Sequence, residues 1–316
     1  SMTGGSSVAK IYANFMTQNQ KGIALGDGRT DYEGRVNGHF SALENLLEVD
    51  FHTQYLHVKR DIRSSSSQFN QALKLNPTIS PYSDSNESGY NVLTGGNDTF
   101  NPVADVMLKQ NDRVETWLSA DASFKLNLPY DIKLNATVGW QNKTQQNTNY
   151  LDSHHKTCVD NGYHGSAHHS YSKWSDITTE VTASWSGMIK EHKISAVAGY
   201  SFFQSGGESF SMTNYDFVID GIGPWDMGKG TYLTEGDALM SSSKNSRERL
   251  LAFFGRANWA WKDRYLLMAS IRHEGSSKFG KNNRWGTFWS LSGGWRISQE
   301  PWLKDVSWIS DLKLRL

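Results

Sequence analysis

The sequence predicts an all-β fold, specifically an up-and-down antiparallel β-barrel that spans a membrane. Apolar and polar residues alternate with a period of two over about ten separate segments, the pattern of a strand with one apolar face. Short turns alternate strictly with long polar loops, an asymmetry typical of outer-membrane barrels. The 316 residues also include 28 Gly, 12 Trp, 13 Tyr and 14 Phe, and aromatic enrichment is expected where strands cross the membrane interfaces.

The alternation defines strands along the whole chain. In the clearest example Leu134, Ala136 and Val138 alternate with Asn135 and Thr137. Strands are predicted over residues 9–15, 32–40, 47–55, 114–124, 132–141, 177–185, 194–202, 251–259, 265–274 and 287–297, and a further strand begins near Leu312. The prediction is therefore about ten to eleven strands of up-and-down barrel wall.

Connections between these strands fall into two groups. Strands joined by tight turns are antiparallel neighbours, and in a barrel the longer loops are expected on the extracellular side. The loop over residues 60–112 is too long for an ordinary connection and is expected to be functional or mobile. The short turns lie at residues 42–45, 128–131, 187–192 and 261–264, and the loops at residues 20–31, 60–112, 142–172, 204–246 and 274–285.

Composition excludes several classes of protein. Lys plus Arg and Asp plus Glu number 32 each, so no basic field is present to attract nucleic acid. The single Cys158 excludes an internal disulfide framework. No apolar run approaches ~18 residues, so no membrane-spanning helix is predicted. The hydrophobic content of 37% suits a barrel, in which only alternate residues of each strand face lipid.

Charged residues recur on the polar face of the predicted strands. A charge that faced lipid at mid-membrane would cost ~2–4 kcal/mol, so these residues are expected to line a water-filled interior. They are Glu33, Arg35, Glu180, Arg256, Arg272 and Glu274.

Aromatic residues divide into two classes by position. Those on apolar stripes are expected in interfacial girdles or facing lipid, namely Trp185, Trp259, Trp261, Trp289 and Trp295. Those in predicted loops are candidates for stacking on substrate, with simple loop packing as the alternative. The substrate-loop candidates are Tyr150, Tyr163, Tyr171, Tyr215, Trp225 and Tyr232.

The loop over residues 142–172 concentrates histidine and cysteine. Imidazole and thiolate so close together are potential ligands of a transition metal. Their spacing matches no closed zinc pattern, so an exposed variable loop is the alternative reading. The weak metal candidates are His154, His155, Cys158, His164, His168 and His169, and no cofactor is expected.

No catalytic set is recognisable. The glycine-containing segments at residues 26–28 and 223–225 are turn chemistry, since neither precedes the helix that a phosphate-binding loop requires. No nucleophile-elbow serine, His-Glu-x-x-His or Cys-x-x-Cys motif is present. We therefore expect no enzymatic activity.

The hairpin over residues 263–297 carries a specific sequence resemblance. Its tip is the run RHEGSSKFGKNNRWG beginning at Arg272, and the run SGGWRISQEPWL begins at Ser292. Together with WISDLKLR from Trp308, these segments resemble the late barrel strands of SusC-like TonB-dependent outer-membrane transporters. The resemblance is specific over residues 252–316 and extends to the remainder as a pattern only.

The resemblance implies a larger assembly than these strands provide. Members of the family are expected to have 22 strands, a plug inside the lumen and a segment that contacts TonB, none of which is recognisable here. Expected partners are a SusD-like surface lipoprotein, TonB through the plug, outer-membrane lipid, and an oligosaccharide or peptide substrate. Ser1-Met2 is interpreted as a cloning remnant and residues 3–316 as a partial receptor barrel domain.

Two other function classes remain open on the sequence alone. The aromatic count and a mean hydropathy below zero would also suit a soluble or surface-exposed all-β carbohydrate-binding module. A β-rich hydrolase is a third hypothesis, although it lacks a catalytic set. The first hypothesis is part of an outer-membrane TonB-dependent importer of oligosaccharides or peptides.

Overall fold

A computed structural model of the chain describes residues 1–93, 100–222, 224–245, 247–304, 306 and 308–316. These described residues form one antiparallel sheet of 13 strands. Its strands are β1 (Met2–Gly5), β2 (Ala9–Lys21), β3 (Gly28–Ala42), β4 (Leu47–Asp61), β5 (Lys109–Leu128), β6 (Ile132–Leu151), β7 (Ser166–Ile189), β8 (His192–Tyr215), β9 (Leu239–Lys244), β10 (Glu248–Trp261), β11 (Tyr265–Ser276), β12 (Trp285–Arg296) and β13 (Lys313–Arg315).

The order of strands in the sheet follows the order in the chain, with one exception. Neighbours run from β1 to β8, then β10 to β13, while β9 pairs with β8 only. This up-and-down order confirms the predicted all-β class, and the described strands form an open wall with β1 and β13 at its edges.

The strand β8 changes partner partway along its length. Its lower part pairs with β10 as far as Ser205↔Glu248, and its upper part pairs with β9 from Glu208↔Lys244. The two residues between are Gly206 and Gly207. The sheet therefore divides at this glycine pair.

Several strands are longer than predicted. Most of the predicted loop 142–172 is strand, since β6 continues to Leu151 and β7 starts at Ser166. The predicted loop 204–246 likewise loses its first part to β8, which ends at Tyr215, and its last part to β9. These extensions hold polar residues on both faces, such as the run QNKTQQNTN from Gln141. The ladder of backbone hydrogen bonds continues there without the apolar alternation that sequence reasoning needs.

The four predicted short turns are confirmed. Tyr130 and Asp131 have φ of 64° and 59°, and Lys262 and Asp263 have φ of 54° and 53°. Positive φ at consecutive turn residues matches the right-handed twist of flanking strands. These turns lie at one end of the sheet, called the turn end below, and the long loops lie at the opposite end.

Short helices occupy the long loops. Asn101 caps α2 by accepting hydrogen bonds from the backbone N–H groups of Val103 and Ala104, as a helix N-cap should. None of the helices in the described residues is long and apolar enough to cross a membrane. Gly223, part of a predicted turn, lies outside the described residues. The helices are α1 (Ser66–Lys74), α2 (Pro102–Met107), α3 (Lys156–Asn161) and α4 (Tyr232–Glu235).

One face of the sheet is apolar and exposed. Phe15 is 70% exposed, Leu291 63% and Trp289 78%, whereas soluble monomers rarely expose a continuous apolar surface of this extent. We call this face the apolar belt. Its register-aligned members include Ile11, Phe15, Phe51, Tyr55, Leu118, Leu134, Val138, Trp140, Val181, Phe253, Ile271 and Trp289.

The opposite face is called the polar face. The strand register places all six predicted interior charges there, including Glu180 opposite Thr137 and Arg256 opposite Ser270. Arg35 pairs with Glu33, and Arg272 with Glu274 at 2.5 Å. The apolar–polar alternation in the sequence therefore assigned all six charged residues to the same face of the sheet as the structure does.

Stacked aromatic rings line the turn end of the belt. Trp261 and Tyr265 have ring centroids 5.5 Å apart, and Tyr265 and Trp295 are 6.5 Å apart. His192 stacks on Trp261 at 6.2 Å. Amphipathic rings at such a boundary are typical of a membrane interface.

Candidate functional site

The loops at the end opposite the short turns pack together into a folded unit, which we call the cap. It comprises the described residues of 62–108, 152–165 and 216–238, with the ends of β6, β7 and β8. Its small core contains Tyr150, Ala167, Phe217 and Met227. Tyr150 meets Phe217 edge-on, with ring centroids 6.2 Å apart. The cap thus has its own buried apolar contacts.

Asn214 fixes one loop of the cap. Its side chain is only 1% exposed, and its amide donates hydrogen bonds to the carbonyl oxygens of Met227 and Gly230 at 2.7 and 2.9 Å. A side chain at Gly230 would meet the Asn214 amide at 2.6 Å. This close approach holds the segment after β8 against the sheet.

Asp220 connects two loops of the cap. It accepts hydrogen bonds from the Tyr150 hydroxyl at 2.5 Å and from the Ser153 backbone N–H at 2.9 Å. Burial alone would raise the pKa of Asp220, but the hydrogen bonds from Ser153 and Tyr150 outweigh it and hold the pKa below its usual value. Asp220 is therefore an ionised acceptor that joins residues 150–153 to the loop after β8.

A second carboxylate, Asp216, joins the same loops from the other side. It accepts hydrogen bonds from the His164 backbone N–H at 3.0 Å and the Thr231 hydroxyl at 2.8 Å. These bonds lower the pKa of Asp216, that from the His164 backbone having the largest effect. The two aspartates together make the cap a preformed structure.

A buried pair links the cap to the helical loop. The His155 ring is 4% exposed, and its Nε2 lies 3.0 Å from Asp105 Oδ1 on α2. Its Nδ1 accepts a hydrogen bond from the backbone N–H of Thr157, whereas its buried Nε2 makes no hydrogen bond of good geometry to a described residue. Gln68 of α1 also donates to Asp105.

The six substrate-loop candidates occupy different environments. Tyr163, Tyr215 and Tyr232 pack on one another, with ring centroids 4.8 to 6.2 Å apart. Tyr150 is buried in the cap core, and Tyr171 lies 5.9 Å from Phe210 on β8. Trp225 is 76% exposed and is the candidate whose ring is most open to a ligand.

The metal candidates are dispersed through the cap. Cys158 is fully buried, and burial raises the pKa of its thiol to about 12, which disfavours a thiolate ligand. His168 Nδ1 lies 2.8 Å from the Thr213 hydroxyl, and His169 contacts Gln146.

His154 alone of these candidates joins a group of potential ligands in the described part of the chain. One ligand atom each from Asp152, His154 and Asp220 lies within 4.8 Å of the others. His154 Nδ1 is 2.9 Å from Asp152 Oδ1, and this hydrogen bond raises the His154 pKa. Metal binding by the loop stays a prediction.

Sequence reasoning missed a row of residues on the polar face. Trp117 of β5, Lys143 of β6 and Trp174 of β7 are register neighbours. The Lys143 ammonium lies 4.2 Å from the Trp117 ring centroid and 5.5 Å from that of Trp174. The sequence feature that could have revealed this row was Trp117, a tryptophan on the polar face of a predicted strand.

A second missed residue is Glu300, at the turn end. It is 6% exposed and accepts hydrogen bonds from Tyr265 at 2.7 Å, Trp295 at 3.0 Å and Arg264 at 2.7 Å. The available signal was its position in the run SGGWRISQEPWL, which carries the family resemblance. The three hydrogen bonds that Glu300 accepts give a structural reason for an acidic residue at this position of the run.

The belt, the aromatic row and the one-ended loops define the wall of an outer-membrane β-barrel. Comparison with known proteins identifies the kind: residues 45–314 match the family described as "TonB dependent receptor-like, beta-barrel". The chain belongs to this family of outer-membrane transporters, as its sequence resemblance indicated.

Relatives of known name support the assignment over the whole chain. The TonB-dependent receptor SusC of Bacteroides thetaiotaomicron is 26% identical over 100% of this chain and 32% of its own length. The TonB-dependent receptor P26 of Formosa agariphila is 25% identical over 100% of this chain and 31% of its own. The chain thus spans about a third of the length of these relatives.

Solved structures agree on the fold. The RagAB peptide importer in its "open-open" state superposes with a TM-score of 0.78 at 19% identity, covering 99% of this chain and 35% of that chain. The ferric preacinetobactin receptor BauA of Acinetobacter baumannii reaches a TM-score of 0.53 at 9% identity, covering 94% of this chain and 42% of that chain. Both likenesses extend over nearly all of the wall.

Proposed function

We propose that this chain is the wall and cap of a TonB-dependent importer that carries oligosaccharides or peptides across the outer membrane. The observation that carries the proposal is the two-faced sheet, with an exposed apolar belt on one side and charged residues on the other. Such a sheet seals against lipid while it lines a hydrated path.

The cap is proposed to meet substrate and partner. Its loops are tied together by Asp216, Asp220 and Asn214, so it offers a shaped surface. Trp225 is its exposed aromatic ring, suited to stacking on a sugar or an apolar side chain. The six predicted aromatic residues remain substrate-loop candidates in this proposal, with Tyr150 acting from within the cap core.

Partners follow from the relatives. RagAB is described as a peptide importer, and SusC is a TonB-dependent receptor. By analogy, we infer a SusD-like surface lipoprotein over the cap and TonB acting through a plug. Outer-membrane lipid would cover the apolar belt. We infer no enzymatic activity, in line with a family of transporters.

Fractionation and uptake test the proposal. The full-length protein that contains this chain should sediment with the outer membrane and require detergent for extraction. Its deletion should abolish growth on the oligosaccharide or peptide mixture that induces it, and a plasmid copy should restore growth. A full-length protein that stays in aqueous solution without detergent would instead support the carbohydrate-binding module.

A further inference from the structure

The row formed by Trp117, Lys143 and Trp174 lies on the polar face of the sheet. The flanking positions Leu118 and Asn142 belong to the opposite face, where Leu118 is 36% exposed in the belt. Gln141 and Gln145 stand on either side of Lys143 on the same face. Two indole rings and a cation are thus set among hydrogen-bonding side chains.

Lys143 has no acidic partner among the described residues. It forms no ion pair with any residue that the structure describes, while Glu115, two rungs away on β5, is paired with Arg60 at 3.5 Å. Asp176 lies two rungs away on β7, where its buried Oδ1 has no hydrogen-bond partner among the described residues, and it makes no ion pair with Lys143. A lysine is protonated at neutral pH, so its charge is available to an incoming anion.

A cavity of about 440 Å³ opens beside Trp174, where β8 changes partner. A Cβ at Gly207 would lie 2.9 Å from Trp174 Cδ1, and one at Gly206 would lie 3.3 Å from Arg247 Cγ. The two glycines therefore let the indole and the arginine lie close to the backbone. The cavity is lined by Trp174, Gly206, Gly207, Arg247, Ser277 and Lys278, among others.

Arg247 is the second available cation. In the cavity wall Lys278 is paired with Glu248 at 2.7 Å, whereas Arg247 forms no ion pair within the described part of the chain. Lys143, whose ammonium lies 5.5 Å from the Trp174 ring centroid, and Arg247, which lines the same cavity as Trp174, are thus two cations without an ion pair among the described residues, and Trp174 remains 38% exposed. Both offer charge-assisted hydrogen bonds to a carboxylate.

We propose that Trp117, Lys143 and Trp174, with the adjoining Arg247 cavity, form a subsite for an acidic oligosaccharide whose rings are uronates. The exposed part of the Trp174 indole accepts the apolar face of a pyranose ring, and the neighbouring cations accept its carboxylate. A neutral sugar would leave both cations unmatched, and an acidic peptide would leave the indole faces without rings. The proposal rests on the proposed function and assigns its substrate class.

Calorimetry on the full-length protein in detergent tests the subsite. The probes are tetragalacturonate, its neutral methyl ester, which keeps the same rings and α-1,4 linkages, and a tetraglutamate peptide. Tetragalacturonate should bind at least about tenfold more tightly than either other probe, because a charge-assisted hydrogen bond contributes on the order of a tenfold change in affinity. Equal affinities, no binding of tetragalacturonate, or preference for tetraglutamate would each overturn the proposal.

Variants locate the binding. Lys143→Gln should weaken tetragalacturonate binding about tenfold while the matched control Lys173→Gln, on the belt face beside Trp174, leaves it unchanged. Trp174→Ala should weaken both sugars. Each variant is first checked by gel electrophoresis for the band of the folded protein, whose mobility changes on heating. Equal effects of Lys143→Gln and Lys173→Gln would overturn the assignment.

The outcome is separable from that of the proposed function. If the protein resides in the outer membrane and its deletion abolishes uptake, but tetragalacturonate shows no preference, import stands and the uronate subsite falls. If the protein fails the fractionation and uptake tests, import falls as well. Gly207→Ala offers an independent variant, since displacing Trp174 should reduce tetragalacturonate affinity without removing any charge.

Discussion

At the scale of single residues, Glu300 illustrates how one side chain joins distant parts of the wall. Its donors are Arg264 in the turn between β10 and β11, Tyr265 at the start of β11, and Trp295 near the end of β12. A carboxylate with three donors is held in one orientation. The exit of the chain from β12 is thereby fixed to the neighbouring turn.

Glu300→Gln should weaken this junction. The amide keeps the shape but loses the charge, and its NH2 group replaces one carboxylate oxygen, so that an N–H donor faces either Arg264 or the pair Tyr265 and Trp295 where an acceptor is needed. The expected result is a lower temperature for loss of the heat-modifiable folded band. Glu191→Gln is the matched control, because Glu191 makes only an exposed ion pair with Lys262 at 3.2 Å. Equal melting of both variants would contradict the role.

The same residue predicts a pH dependence. The hydrogen bond from Tyr265, followed by that from Trp295, lowers the pKa of Glu300 below 4.5 in the folded state. A lowered pKa contributes stability above the unfolded value, and this contribution is lost as pH falls through the folded value. The gap in melting temperature between wild type and Glu300→Gln should therefore narrow on acidification below about pH 4.5. A gap that is constant with pH would contradict this.

Tyr150→Phe tests the cap at one atom. Removing the hydroxyl deprives Asp220 of a donor and should destabilise the cap by about 1–2 kcal/mol. Hydrogen exchange of residues 152–165 and 216–222 should accelerate roughly tenfold. Tyr171→Phe is the control, since its hydroxyl makes no hydrogen bond to a described residue. Unchanged exchange in Tyr150→Phe would show that Asp220 is held adequately by Ser153.

At the scale of strands, the two faces carry different constraints. Leu134 is 38% exposed on the apolar belt, and Asn135 beside it faces the polar side. Leu134→Arg places a charge against lipid, at a cost that rises toward ~2–4 kcal/mol at mid-membrane, whereas Asn135→Arg enters the hydrated side. The folded fraction after outer-membrane assembly is the measurement. Comparable losses in both variants would mean that the face assignment is wrong.

The sequence predicted those strand segments where lipid imposes alternation. The apolar residues Phe51, Leu134 and Val181 were correctly predicted to lie on the belt. The turns at Tyr130 and Lys262 were also correctly located. Above the belt the rule lapses, because polar residues occupy both faces of β6 over the run from Gln141 to Asn149. The strands β1 and β9, four and six residues long and exposed, had no pattern to read.

The cap was beyond sequence reasoning for a different reason. Its contacts join residues far apart in the chain, such as Asp105 with His155 and Tyr150 with Asp220. No local period encodes such pairs. The sequence did locate the aromatic and histidine residues in the right region, but their partners were acids that it gave no reason to select.

At the scale of the whole molecule, the wall has unequal height. The strands β7 and β8 have 24 residues each, whereas β11 and β12 have 12. Because short turns join the strands at one end of the sheet, the extra residues of β7 and β8 extend the sheet at the cap end. The cap rests on the tall side of the wall.

Cysteine labelling tests the orientation. In a Cys158→Ala background, Trp225→Cys should react with a membrane-impermeant maleimide on intact cells, because position 225 is 76% exposed in the cap. Asp263→Cys, in a short turn and half exposed, should react only after the outer membrane is opened. Labelling of Asp263→Cys on intact cells would reverse the proposed topology.

The division of the sheet at Gly206 and Gly207 has a consequence for the time scale of motion. Below the glycines β8 is hydrogen-bonded on both sides by β7 and β10, whereas above them its second neighbour is the short β9, which pairs with no further strand among the described residues. Edge amides exchange with solvent without opening the rest of a sheet. At the cap end of the wall beside Trp174, the backbone hydrogen bonds should therefore open as a separate unit, while those of the membrane-facing strands stay formed.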